Sequence, residues 1–213
     1  MKLQYEDINR YLESSEIIDF HTSPEIAALS REIAARSKDK TDFAKNAFEY
    51  VRDEISHTND IGGDVVTYKA SEVLRERQGV CYAKSHLLAA ILRCGGTIGG
   101  SVGGSAVKLP TGICYQALIW DDDDPHPYLV LHALNAVFIQ DKWIRLDARG
   151  NKPGVDAQFS LEEEKLAFPV RPEKGETDFP TIYATPDENV IRALINNKNA
   201  QSLWSNLPRE LKE

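Results

Sequence analysis

Apolar positions change their rhythm once along this chain. Between Pro24 and Arg93 they recur at three- and four-residue intervals; from Ile113 onward they come in short blocks bounded by turn residues. The first half therefore reads as helices and the second as strands. Ser23-Pro24-Glu25 is a helix start, a capping hydroxyl followed by proline at the first helical position, and Ile26, Leu29 and Ile33 mark one face. A second helix spans about Thr41 to Ile55, with Phe43, Ala47, Phe48 and Val51 inward. Residues 56–69 read as a polar loop around Gly62-Gly63, and Ser71 is placed to cap a short helix through Val73 and Leu74. A buried helix then begins at Cys81, with Leu87, Leu88, Ile91 and Leu92 forming one apolar stripe and Gly79 as its expected N-cap.

Three strands are expected, Ile113 to Trp120, Tyr128 to Ile139 and Lys142 to Ala148, with Gln140-Asp141 as a tight hairpin between the last two. Asp121 to Asp124 with the following Pro-His-Pro is a solvated turn. Residues 3–20 read as a short helix or irregular packing, and 149–185 as mostly irregular. Thr185-Pro186-Asp187-Glu188 has the form of a capping box opening a helix with Val190, Ile191, Leu194 and Ile195. An amphipathic segment around Leu203, Trp204 and Leu207 follows. Between the helical and strand halves, residues 95–104 hold six glycines, which predicts a flexible loop. They lack both the Walker spacing and G-x-G-x-x-G, so a phosphate cradle is not expected.

At 213 residues the chain is long enough for one sizeable core, and a single domain over 1–213 is expected. A net charge of −8 argues against nucleic acid as a partner, which needs a basic face. No apolar run approaches a membrane span, so no membrane partner is expected. The first residues carry no hydrophobic signal core, and the three cysteines are an odd, low count; both point to a reducing, cytoplasmic setting.

Cys81 is the candidate nucleophile. In the first turn of a helix, free N–H groups and the positive end of the dipole favour a thiolate over a thiol. Alone it would count as a packing residue, because free cysteine is among the most buried residue types. The hairpin changes that. Counting outward from Gln140-Asp141 pairs Ile139 with Lys142 and puts His132 across from Arg149. Asp147 is then the diagonal neighbour of His132, on the same face and about 7–8 Å away by backbone. A carboxylate there fixes the imidazole tautomer and leaves the other ring nitrogen for the Cys81 proton. His86, Cys94 and Cys114 lack any C-x-x-C pair, so no metal site is expected. Lys84 and Arg145 flank the site in sequence; they are either solvated charges or recognition groups for an acidic or amide substrate.

Three segments carry a resemblance: Ala70-Ser71-Glu72-Val73-Leu74 leading to Gly79-Val80-Cys81, then Leu131-His132-Ala133-Leu134-Asn135, then Lys142-Trp143-Ile144-Arg145-Leu146-Asp147. Over about residues 24–150 the chain resembles the transglutaminase-like superfamily. The resemblance implies an α+β, papain-like core, N-terminal helices packed on an antiparallel β-sheet, with 151–213 as a C-terminal extension. It also implies Cys81 as nucleophile, His132 as base and acid, and Asp147 as orienting carboxylate, with no cofactor. Many members have Trp directly after the nucleophile and Trp two after the histidine, where this chain has Tyr82 and Leu134, and a short connection where this chain has its glycine-rich segment. The Cys81 N–H is the first candidate oxyanion donor, with Gln78 or Tyr82 as a second. The activity implied is acyl transfer through a Cys thioester on a peptide, protein or small amide, as a peptidase or amidase with water and as a transglutaminase with an amine. The alternative is a non-catalytic binding module that keeps the fold.

Overall fold

The structure is a computed structural model, and it describes residues 1–100 and 104–212. In chain order it contains α1 (Pro24–Arg36), α2 (Lys40–Glu54), β1 (Ser56–His57), α3 (Ala70–Glu76), β2 (Gln78–Gly79), α4 (Cys81–Cys94), β3 (Gly96–Thr97), β4 (Ala106–Val107), β5 (Thr111–Ile119), β6 (Leu129–Ile139), β7 (Lys142–Leu146), β8 (Thr177–Asp178), α5 (Glu188–Asn196) and α6 (Ala200–Ser205). A 3₁₀ turn over Ile8–Leu12 precedes them. The main sheet is antiparallel in the order β7-β6-β5-β8, and β1 pairs with β2 in parallel. Helices first, then an antiparallel sheet, is the architecture expected of the α+β papain-like class. Among the described residues no helix is long and apolar enough to cross a membrane.

α4 is the centre of the molecule. The periodicity predicts one apolar stripe, but every residue from Tyr82 to Arg93 is buried. The helix lies between α1, α2 and α3 on one side and β5 and β6 on the other, so it has no solvent face. Its polar side chains therefore turn to backbone partners, although the buried His86 Nε2 has none among the described residues. Ser85 Oγ donates to Cys81 O (2.9 Å), His86 Nδ1 lies 2.7 Å from Tyr68 O, and Lys84 Nζ donates to the carbonyls of Ile55 and Arg52. Arg93 reaches the Thr111, Glu13 and Ala184 carbonyls.

Some ends differ from the expected ones. The N-cap of α4 is Val80, not Gly79. Gly79 is instead the last residue of β2, paired with His57. A Cβ on Gly79 would sit 3.1 Å from Thr67 Oγ1 and 3.2 Å from the Ala83 Cβ, so its role is close approach rather than capping. α3 starts after Lys69, and Ser71 does not cap it; the Ser71 N–H and hydroxyl both go to Asp19 (2.9 and 2.5 Å). α5 is capped by Asp187, whose side chain accepts from the N–H of Asn189 and Val190, so the box proposed at Thr185 lies two residues early.

The glycine-rich segment is also corrected where it is described; 101–103 lie outside the described residues. Gly96 and Thr97 form β3 and pair with Val107 and Ala106 of β4. Gly95 adopts φ +70, and a Cβ there would lie 1.8 Å from Val107 O. Gly96 backs onto α1, where a Cβ would lie 2.7 Å from that of Ala34. These glycines permit backbone to pack on backbone, which composition cannot distinguish from looseness.

Candidate active site

The hairpin places the site. Gln140 and Asp141 both take positive φ, 52° and 59°, as a two-residue turn matched to the strand twist requires. The register that follows, Ile139 with Lys142 through Asn135 with Leu146, is the one counted from the sequence. Asp147 follows β7 directly. His132 Nε2 and Asp147 Oδ2 are 2.8 Å apart, with both residues buried. That leaves Nδ1 for Cys81, which lies in the first turn of α4 close enough to His132 to help raise its pKa. Cys81 is half-buried and opens on a cleft.

Asp147 is held from three directions. Besides His132, its oxygens accept the N–H groups of Ala167 (3.1 Å) and Arg149 (3.2 Å). Burial raises its pKa, but the charge and hydrogen bond of His132 and these two N–H donors outweigh it and leave the carboxyl below its ordinary value. Burial likewise works against the His132 imidazolium, but Asp147 and then Cys81 prevail, and its pKa is pushed up to about 10. Phe168 stands edge-on to the His132 ring with centroids 5.2 Å apart, and the Arg149 guanidinium lies over the Phe168 ring, 5.8 Å from its centroid.

These shifts have a definite pH signature. The folded pKa of His132 lies above the 6.5 of the free group, so its contribution to stability is complete below pH 6.5 and is lost as pH rises toward about 10. Asp147 is depressed below 3.8, so its contribution is present above that pH and is lost on further acidification. Lys84 has the opposite sign to His132. Burial, reinforced by repulsion from Arg149, brings its pKa down to about 7 against 10.5 for the free group, so the cost of burying it is relieved as pH rises between them. The difference in urea-unfolding free energy between this chain and His132→Gln isolates the histidine. It is expected to shrink steadily from pH 6.5 to pH 10; a difference constant over that range would refute the ion-paired histidine.

The cleft has a volume of about 440 Å³. Tyr82 lines it, but its hydroxyl is spent on the Leu131 carbonyl, so only its backbone N–H remains as an oxyanion donor. Gln78 lies in β2 and is not among the lining residues; its Oε1 is buried against Gly63 with no partner among the described residues. Lys84 and Arg145 are not solvated and do not line the cleft: Lys84 is bound to the Ile55 and Arg52 carbonyls, and Arg145 bridges Glu164 (2.6 Å) and Asp178 (2.6 Å). His86, Cys94 and Cys114 sit apart, and among the described residues no group of three or more His, Cys, Asp or Glu could hold a metal ion. Burial pushes the Cys114 thiol up to about 12 and raises that of Cys94.

Sequence reasoning missed His57, which lines the cleft from β1. Burial, and then the charge of Arg149, holds it well below its ordinary pKa, and its Nδ1 has no partner among the described residues. It also missed the Arg149–Asp60 pair, which joins residues 89 apart. No local pattern announces either one; only the parallel pairing of β1 with β2 brings residues 56–60 to the start of α4.

The profile described as "Transglutaminase-like superfamily" matches residues 27–148. No curated protein matches the chain. Among solved structures, one from Cytophaga hutchinsonii, provisionally named a cysteine protease, aligns with a TM-score of 0.50 at 17% identity. The alignment covers 67% of this chain and 42% of that one, and the likeness is one of fold.

Proposed function

The chain belongs to the transglutaminase-like superfamily, and from that premise we propose that it carries out thiol-dependent acyl transfer on an amide, with Cys81 as nucleophile, His132 as proton carrier and Asp147 as the group that orients it. The observation that carries this reading is the convergence of Cys81 and the His132–Asp147 pair at a helix start open to a cleft. The Cys81 thiolate attacks the carbonyl carbon, and the oxyanion meets the unpaired N–H groups of the first turn of α4. The tetrahedral intermediate collapses as the C–N bond breaks and the His132 imidazolium gives its Nδ1 proton to the departing amine. Neutral His132 then takes a proton from the second acceptor as that acceptor attacks the thioester, and the Cys81 thiolate leaves. With water the product is an acid; with an amine it is a new amide. Throughout, Asp147 keeps Nε2 protonated and offsets the ring charge.

The test is a panel of amides, with and without added amines, followed by mass spectrometry of the cysteine-bearing peptides. An acyl adduct on Cys81 alone is expected, and iodoacetamide at neutral pH should label Cys81 well ahead of Cys94 and Cys114, whose thiols burial keeps protonated. Equal labelling of the three cysteines, with no adduct on Cys81, would instead favour a binding module that retains the fold.

A further inference from the structure

Besides Cys81 and His132, the cleft is lined by two unlike groups of side chains, which we take as its two ends. At one end Arg149 and Lys152 share a single carboxylate. Arg149 Nη2 and Lys152 Nζ each donate to Asp60 Oδ1 at 2.8 Å, and Arg149 Nη1 donates to Oδ2. His57, which also faces this end, is held neutral. Two cations against one anion leave the end positive within a chain of net charge −8. At the other end Trp120 and Trp204 stack, with centroids 5.7 Å apart and ring planes at 26°. Trp120 is 38% exposed, and Leu118, Val130 and Leu207 extend the apolar wall. The charges at this end cancel: Arg171 and Lys174 are matched by Asp122 and Glu176.

An indole pair kept facing a concave opening, rather than turned into the core, is a recognition surface. Its distance from the reacting groups follows from the strand. Gln116 pairs with His132, and Trp120 lies four residues further along the chain from Gln116. At about 3.4 Å per residue the platform stands roughly 13–14 Å from His132, which an extended peptide spans in about four residues. A single-residue amide cannot engage both ends.

Resting on the acyl-transfer reading above, we propose that the cleft selects an extended peptide, with an aromatic side chain seated on the Trp120–Trp204 platform, a carboxylate at the Arg149–Lys152 end, and the attacked bond between them. Charge complementarity sets the peptide's polarity, and the stacked indoles set the type of side chain at its apolar end.

Two readouts on hexapeptide amides test this, with Asp at one end and Phe at the other, in both orders, alongside versions in which either residue is Ala. The first is binding to the Cys81→Ala chain, followed by quenching of tryptophan fluorescence; Trp120 and Trp204 line the cleft, whereas Trp143 packs edge-on against Tyr11 and Phe138. The second is turnover by the unaltered chain. For one of the two orders, Phe is expected to bind about tenfold or more tighter than Ala. Asp should add a few-fold that fades at high salt. Trp204→Ala should bring the Phe peptide down to the level of the Ala peptide. Turnover that is indifferent to both substitutions, together with binding that is equally indifferent, would overturn the proposal while leaving the acyl-transfer reading intact. Selective binding without any acylation of Cys81 would uphold the cleft's selectivity and remove that reading.

Discussion

Replacing Cys81 by alanine is expected to abolish turnover, by at least about 10⁴-fold, with the fold retained. Every bond-making step in the proposed reaction passes through the sulfur. The side chain is half-buried at a helix start, alanine is a good helix former, and His132 keeps its partner Asp147. Asp147→Ala makes the contrast. It too should slow turnover, by about 10²–10⁴-fold, because the imidazole loses the group that fixes its tautomer. It should also destabilise the chain by about 3–5 kcal/mol, since His132 and the N–H groups of Ala167 and Arg149 would all be left buried without their acceptor. Progress curves and urea unfolding of the two variants give both numbers. Turnover by Cys81→Ala within tenfold of the unaltered chain would end the reading of Cys81 as nucleophile.

Arg93→Met should be the most damaging change outside the cleft. Arg93 is 1% exposed and has no carboxylate partner among the described residues; its guanidinium is held by three carbonyls, with Nε to Thr111 O (2.8 Å), Nη1 to Glu13 O (2.8 Å) and Nη2 to Thr111 O (2.5 Å) and Ala184 O (2.8 Å). Burial lowers its pKa to about 10, with Tyr11 and Glu13 acting the other way, so the cation persists at neutral pH. Methionine fills the space but leaves the buried Thr111 and Ala184 carbonyls and the part-buried Glu13 carbonyl without this donor, a loss of about 3–5 kcal/mol. Thermal unfolding should fall by roughly 10 °C. A shift under about 2 °C would mean that water or a neighbouring donor can satisfy those carbonyls.

The helices and the long hairpin were legible in the sequence for a physical reason. Leu87, Leu88, Ile91 and Leu92 repeat along one face, and Gln140-Asp141 admits one short turn, so the faces of His132 and Asp147 follow by counting. What escaped notice has no local repeat. Two-residue strands such as β1 and β3 are too short for alternation, and they exist only because distant backbone arrives beside them. Lys84 and Arg145 carry charge and look solvated in sequence; their burial depends on carbonyls and carboxylates supplied from elsewhere. Glycines 95 and 96 look loose because composition records freedom and not the close approach that uses it.

The cleft draws on both sides of residue 148. Cys81, His132 and Asp147 lie within the 27–148 stretch, whereas Phe168, Arg171, Trp204 and Leu207 come from the 65 residues that follow it. Much of the wall thus comes from a different stretch of the chain than the reacting groups. Changes at Arg171, Trp204 or Leu207 would reshape the wall without touching the sulfur or the imidazole, whereas Ala167 and Phe168, from the same tail, also hold Asp147 and flank the His132 ring. In such an arrangement lineages can diverge in diet faster than in chemistry.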